Sequence, residues 1–329
     1  MSARLTQAAV LEPAPAAFER APDWSQLTKS PEKQRLYRDD LEVRDALADF
    51  RAAFGADAES VLRGLAMLMF KPEAVKRGCL GAVLDFLAER ELVPIASRLV
   101  DLDRGRCLAL WRYQWNKATI DRVRLHVLTA AQVPWLAVVV RDAAQGDGVP
   151  PAVRLWGLKG PTDPARRHAG HLRTVLGMTN RMLGFVHTSD EPADVLREHG
   201  VLLDEHERAA WLRELGSSLE ADRGADVRRA AAALEARTER HSVDLAEVAE
   251  RLRGGPRGEL GAAALAGERH ALADVVAAFG EPRTDAERWD LITLASGLIE
   301  HDLPGVSAVL DPGALEVIQD RWANGGDAA

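Results

Sequence analysis

The sequence predicts an α+β fold, a small antiparallel sheet with helices on one face, followed by an all-helical segment. Three observations carry this expectation. Short apolar runs such as Leu65–Phe70, Trp135–Val140 and Met182–Val186 have strand length and end in polar or proline-containing turns. Helix-length stretches with apolar stripes alternate with these runs. Beyond about Asp204 only the helical period remains.

Composition sets the outer limits. With 329 residues the chain can bury more than one core, and 47% hydrophobic with 28% charged residues is ordinary globular usage. The net charge of −8 argues against broad binding to nucleic acid or anionic membrane. No apolar run approaches the roughly 20 residues of a membrane span. Cys79 and Cys107 have no metal-ligand spacing and fit free or buried thiols in a reducing cytoplasm. The chain is therefore expected to be cytoplasmic. Only six of the 42 basic residues are Lys, so each Lys is informative.

The expected organisation has three parts: an arm and helix over 1–60, an α+β domain over 61–203, and a helical domain over 204–329. Residues 1 to about 29 are rich in Ala and Pro and read as a loose arm. Ser30-Pro31 is a helix entry, and a charged helix to about Phe54 would bury Leu36, Leu41, Leu47 and Phe50. Strand Leu65–Phe70 ends at Lys71-Pro72-Glu73. A helix over about Leu80–Glu91 carries Val83, Leu84 and Leu87 on one stripe, and Val93–Val100 is a second strand. A helical pair, about Leu102–Tyr113 and Lys117–Leu128, leads to the strand Trp135–Val140. The loop Gln145–Pro151, a short helix near Arg154–Leu158 and a cation-rich loop, Gly160–Asn180, follow. The run Met182–Val186 is expected to be a strand that delivers His187 into the polar turn Thr188-Ser189-Asp190, before a helix over Ala193–His199.

In the last third, Ser217-Ser218-Leu219-Glu220 and Thr284-Asp285-Ala286-Glu287 have capping-box spacing, and Asp311-Pro312 is another helix entry. Val227, Ala231 and Leu234, then Leu245, Val248 and Leu252, then Trp289, Ile292 and Ile299, form apolar stripes. Gly254-Gly255-Pro256 separates two helical groups. His241, His270 and His301 are isolated and expected at the surface or in caps. The jobs expected of this part are oligomerisation, docking of a protein partner, or covering a cleft.

A histidine beside a helix N-terminus can meet an anion, although alone it is more often a turn cap. The surrounding cations strengthen the functional reading. Lys71, Arg154 and Arg173, with Thr162 and Tyr113, could cradle phosphate oxygens, because Arg forks grip phosphate bidentately and Lys acts as a point charge.

In order and spacing these residues resemble the nucleoside diphosphate kinase family. Met67-Leu68-Met69-Phe70-Lys71-Pro72-Glu73-Ala74-Val75-Lys76-Arg77-Gly78 is similar to its first strand and Lys-Pro-Asp turn, with Glu73 in place of Asp. Thr162-Asp163-Pro164 resembles its Thr-Asn-Pro, and His187-Thr188-Ser189-Asp190 its His-Gly-Ser-Asp. The resemblance spans about Leu65–Leu203. It implies a ferredoxin-like βαββαβ core and a γ-phosphoryl transfer from ATP or another nucleoside triphosphate, through a phosphohistidine at His187, to a nucleoside diphosphate. It further implies that Glu198 and Ser189 support the histidine. Lys71, Tyr113, Arg154, Thr162, Arg173 and Asn180 would bind the nucleotide. Mg²⁺ would bridge the phosphates without a dedicated protein metal site, and a homo-oligomer is implied as well.

The pattern departs from the family at Gly184, three residues before His187, where the family has a sugar-binding Asn. Lys159-Gly160-Pro161 reads as an insertion, and no aromatic stands near Val123-Arg124-Leu125 to stack a base. These departures leave a second expectation open, a nucleotide-binding or scaffolding module on the same fold with little turnover.

Overall fold

The computed structural model describes residues 21–144, 148–179, 181–310 and 315–325. Most of the expected loose arm, residues 1–20, lies outside the described residues, and its last part is helical. Trp24–Leu27 forms a short helix, α1, capped by Asp23, with Trp24 and Leu27 buried. The charged stretch after Ser30 is two helices rather than one, α2 (Pro31–Tyr37) and α3 (Leu41–Phe54). The break falls at Asp40, whose carboxylate accepts from the Glu42 and Val43 amides at 3.0 and 3.4 Å and so starts a new helix. Leu41, expected to be buried, is 69% exposed as the first residue of α3, while Leu47 and Phe50 enter the core. A further helix, α4 (Ala58–Arg63), leads into the sheet.

The sheet has four strands: β1 (Leu65–Phe70), β2 (Leu92–Val100), β3 (Trp135–Asp142) and β4 (Val186–Thr188). Between them run α5 (Pro72–Arg77), α6 (Leu80–Ala88), α7 (Arg104–Leu110), α8 (Ile120–Ala130), α9 (Pro151–Lys159) and α10 (Leu172–Val175). The strand order is β2-β3-β1-β4 with every pairing antiparallel, the ferredoxin-like βαββαβ arrangement. Pro94 cannot donate to the ladder, and the β2–β3 register shifts between Pro94 and Ala96.

All six residues of β1 are buried. Successive strand residues point to opposite faces, so both faces of the sheet are covered, not one as expected. α9 packs on β1, β3 and β4, α11 (Pro192–Leu202) on β1, and α12 (Glu205–Ser218) and α13 (Gly224–Ala236) on β2. Helix α3 lies against α11 and α12. Its approach to α11 requires Gly200, because a Cβ there would lie 2.1 Å from the Glu42 carbonyl oxygen.

The last strand differs from expectation. Met182–Phe185 is buried but is not strand; β4 begins at Val186, with His187 at its centre. Phe185 has φ 58, and its carbonyl accepts from the Lys71 amide at 2.9 Å. That left-handed residue turns the chain into the ladder one residue before the histidine.

The remaining helices are α14 (Leu245–Arg251), α15 (Gly255–Ala266), α16 (Leu272–Phe279), α17 (Asp285–Leu298) and α18 (Leu315–Ala323). Thr284 caps α17, accepting from the Glu287 amide at 3.1 Å. Ser217 starts no helix and sits in the last turn of α12, whose cap is the reciprocal pair Asp204 and Glu207. Gly254-Gly255 divides α14 from α15, both at positive φ. The Asp311-Pro312 entry lies outside the described residues. His241, His270 and His301 are all partly buried; His241 is bonded to Asp290 and His301 to the Ser296 carbonyl, each at 2.9 Å. One apolar core runs from Trp24 through the sheet to Leu310. Among the described residues no helix is long and apolar enough to cross a membrane.

Candidate active site

β4 holds His187 opposite Met69 of β1, and the Ser189 amide donates to the Met67 carbonyl at 3.0 Å. The imidazole is therefore fixed by the sheet rather than by a loop. Its Nε2 lies 2.6 Å from Glu198 Oε1 on α11. Ser189 Oγ donates to the other oxygen of the same carboxylate, and Ser189 and Glu198 are both buried. A carboxylate can only accept, so Nε2 carries a proton, and in the neutral ring Nδ1 keeps its lone pair. Trp111 stands edge-on to the imidazole with ring centroids 5.5 Å apart.

Two of the expected cations converge near this histidine. Lys71, buried at the end of β1, lies 2.7 Å from Glu73 Oε1 and donates to the Met182 carbonyl at 3.2 Å. Arg173, buried in α10, donates to the Gly160 carbonyl at 2.6 Å. A Cβ placed on Gly184 would lie 3.8 Å from Lys71 Nζ and 3.9 Å from Arg173 Nη2. The two cations thus flank the position three residues before His187. Burial, with the Arg167 charge, pushes the Arg173 guanidinium down to about 10, which leaves it charged at neutral pH.

A third cation was not anticipated. Lys159 ends α9, is buried, and reaches Asp190 at 3.4 Å. Burial lowers its pKa and Arg173 adds to that, while Asp190 opposes them. The sequence signal was present, since Lys159 is one of only six lysines, but Lys159-Gly160-Pro161 read as a loop insertion.

Other expected members are held elsewhere. Arg154 is committed to both oxygens of Asp142 at 2.6 Å and to the Arg90 carbonyl at 2.8 Å. It lies five residues from Lys159 on one helix, so the two side chains leave on different faces. Tyr113 donates to Asp40 Oδ2 at 2.8 Å and lies under the Arg197 guanidinium, which ties it to the N-terminal helices. Thr162 is exposed, and its carbonyl accepts from Arg167. Asn180 lies outside the described residues.

Helix α2 contributes Tyr37 to the space beside the histidine. A cavity of about 40 Å³ beside His187 is lined by Tyr37, Trp111, Gln114, Thr188, Arg197 and Glu198, among others. It has room for a small number of waters, whereas ligand pockets run to several hundred Å³. Arg181, six residues before His187, lines a separate cavity of about 440 Å³ together with Arg269, His301 and Asp302.

The family model for nucleoside diphosphate kinase matches residues 65–208. A nucleoside diphosphate kinase of Chloroflexus aggregans is 28% identical over 152 residues, covering 46% of this chain and 94% of its own. One from Ignicoccus hospitalis is 27% identical over 141 residues, covering 43% and 88%. Among solved structures, the nucleoside diphosphate kinase of Aquifex aeolicus covers 44% of this chain and 96% of its own, at 18% identity and a TM-score of 0.36.

Proposed function

Residues 65–208 are a domain of the nucleoside diphosphate kinase family, and we propose that it transfers the γ-phosphoryl group of a nucleoside triphosphate through His187. The observation that carries this reading is the His187–Glu198 contact of 2.6 Å, with Ser189 on the second carboxylate oxygen. It fixes the tautomer in which Nδ1 is the nucleophile, and it stabilises the positive charge that grows on the ring during attack.

In the first half-reaction the Nδ1 lone pair forms a bond to the γ-phosphorus. The bond from that phosphorus to the β–γ bridging oxygen breaks, and a nucleoside diphosphate leaves with the electron pair. In the second, a terminal oxygen of an acceptor diphosphate attacks the phosphorus and the N–P bond breaks. Lys71, Arg173 and Lys159 supply positive charge to the phosphate oxygens in both directions. Mg²⁺ enters as part of the substrate, bridging phosphates. Glu198 and Ser189 position the histidine. Arg154 and Tyr113 take no part, because their polar contacts lie with other partners, and Thr162 is exposed.

A second reading, nucleotide binding with little turnover, is favoured by two observations. Lys71 is already paired with Glu73, and the cavity at His187 is only about 40 Å³. Both must yield before a triphosphate reaches the ring. The deciding assay offers MgATP as donor and GDP as acceptor and follows GTP formation. Formation by the wild type and its loss in His187→Ala support phosphotransfer; bound ATP without GTP formation supports the second reading.

A further inference from the structure

A second imidazole stands close to His187. His126, on α8, lies edge-on to Trp111 with centroids 4.5 Å apart and edge-on to Trp115 at 5.4 Å. Trp111 is the same ring that meets His187 at 5.5 Å, so one indole touches both imidazoles. His126 Nε2 is sealed from solvent and has no hydrogen-bond partner. Such an atom is a standing cost to the folded chain, and in a native structure it calls for an explanation. A purely structural aromatic contact would be served as well by Phe, which has no nitrogen to leave unpaired.

The surroundings indicate what would pair it. Burial, followed by the charges of Lys71, Arg122 and His187, holds His126 well below the ordinary imidazole range. The ring is therefore held neutral, in part by the charge of Lys71 at the end of β1. Its helix is also held firmly. Thr119 Oγ1 donates to the Glu300 carbonyl at 2.6 Å, the Leu272 amide donates to Asp121 at 2.9 Å, and Arg122 pairs with Asp302. The C-terminal helices thus fix α8, and α8 fixes His126.

We propose that His126 is a ligand-binding residue of the His187 site, its Nε2–H donating to a phosphate oxygen of the bound nucleoside triphosphate beside Lys71. This rests on the nucleotide reading of the domain, but it needs no turnover.

The test is calorimetric titration of MgATP into the full chain, with melting measured in the absence of nucleotide. His126→Phe keeps a ring without a donor, and His126→Gln keeps a donor without a ring. The expected result is MgATP affinity about tenfold weaker in H126F, the size of one lost bond to a charged group, with an unchanged or higher Tm. H126Q should stay within about threefold of wild type. Wild-type affinity in H126F overturns the proposal, as does a fall in Tm in both variants with affinity unchanged. If the wild type itself binds no MgATP, the nucleotide reading fails, and this inference fails with it.

Discussion

His187 Nε2 and Glu198 Oε1 stand 2.6 Å apart, with the carboxylate held from its other side by Ser189. The pair joins a strand to the helix that follows it, so the ring's orientation is set by the fold. Glu198→Gln keeps the shape and removes the charge that stabilises the ring as it becomes cationic. Phosphotransfer should slow by about 10²-fold, typical of losing a positioned acid–base partner, while MgATP affinity stays close to wild type. Rate and affinity measured on the same preparation separate the two.

Lys71 and Glu73 make the second informative pair. Glu73 is fully buried and reaches Lys71 at 2.7 Å. Glu73→Asp withdraws the carboxylate by one methylene and loosens its hold on the ammonium. MgATP should bind several-fold tighter, because less of the lysine's charge is spent within the chain. Titration calorimetry reads this directly, and weaker binding would contradict the account.

The N-terminal helices act as a clamp on α11. Lys33 Nζ lies 2.9 Å from Glu191 and 2.6 Å from Asp194, and the Tyr37 hydroxyl donates to Asp194 at 2.7 Å. Thr28 and Trp322 bond to Glu191 as well, so residues that follow α1 and residues of α18 meet at one helix start. Lys33→Met leaves two carboxylates without their cation and should cost about 3–5 kcal/mol. Urea unfolding checks this, and K33M/D194N should recover part of the loss.

His199 gives the chain a pH dependence. It is fully buried, with Nδ1–H donating to the Val195 carbonyl at 2.6 Å and Nε2 accepting from Trp211 Nε1 at 3.0 Å. Only the neutral ring satisfies both bonds. Burial pulls its pKa from 6.5 to about 4, partly opposed by the Val195 bond. The unfolded chain therefore binds this proton at higher pH than the folded chain. The stability contributed is fully present above about pH 6.5 and is lost as pH falls through 4, on the order of 3 kcal/mol. Unfolding curves between pH 7.5 and 4 should show that slope, and His199→Gln should flatten it. An unchanged slope in the variant would assign the effect to other groups.

The sheet and the histidine were legible in the sequence because strand length, apolar runs and the His-Thr-Ser-Asp turn are local signals. The places of Lys71 at the end of β1 and of Arg173 in the segment before β4 were legible for the same reason. Arg154 was not, because its partner, Asp142, lies across the α9–β3 junction, and only the fold shows that its fork is occupied. Lys159 was hidden by its place in what read as an insertion. The strand boundary at Val186 was missed because Met182–Phe185 is apolar through burial, not through pairing. The clamp on Glu191 joins residues about 160 positions apart, beyond any periodicity.

If His187 carries the phosphoryl group, the phosphorylated intermediate can be trapped on it. The full chain is mixed with γ-labelled ATP and Mg²⁺, quenched in alkali, and its labelled peptide is mapped. Base-stable, acid-labile label is expected on His187, absent in His187→Ala and discharged by added GDP. ATP bound by the wild type without such label, or label retained in His187→Ala, would contradict phosphoryl transfer through His187.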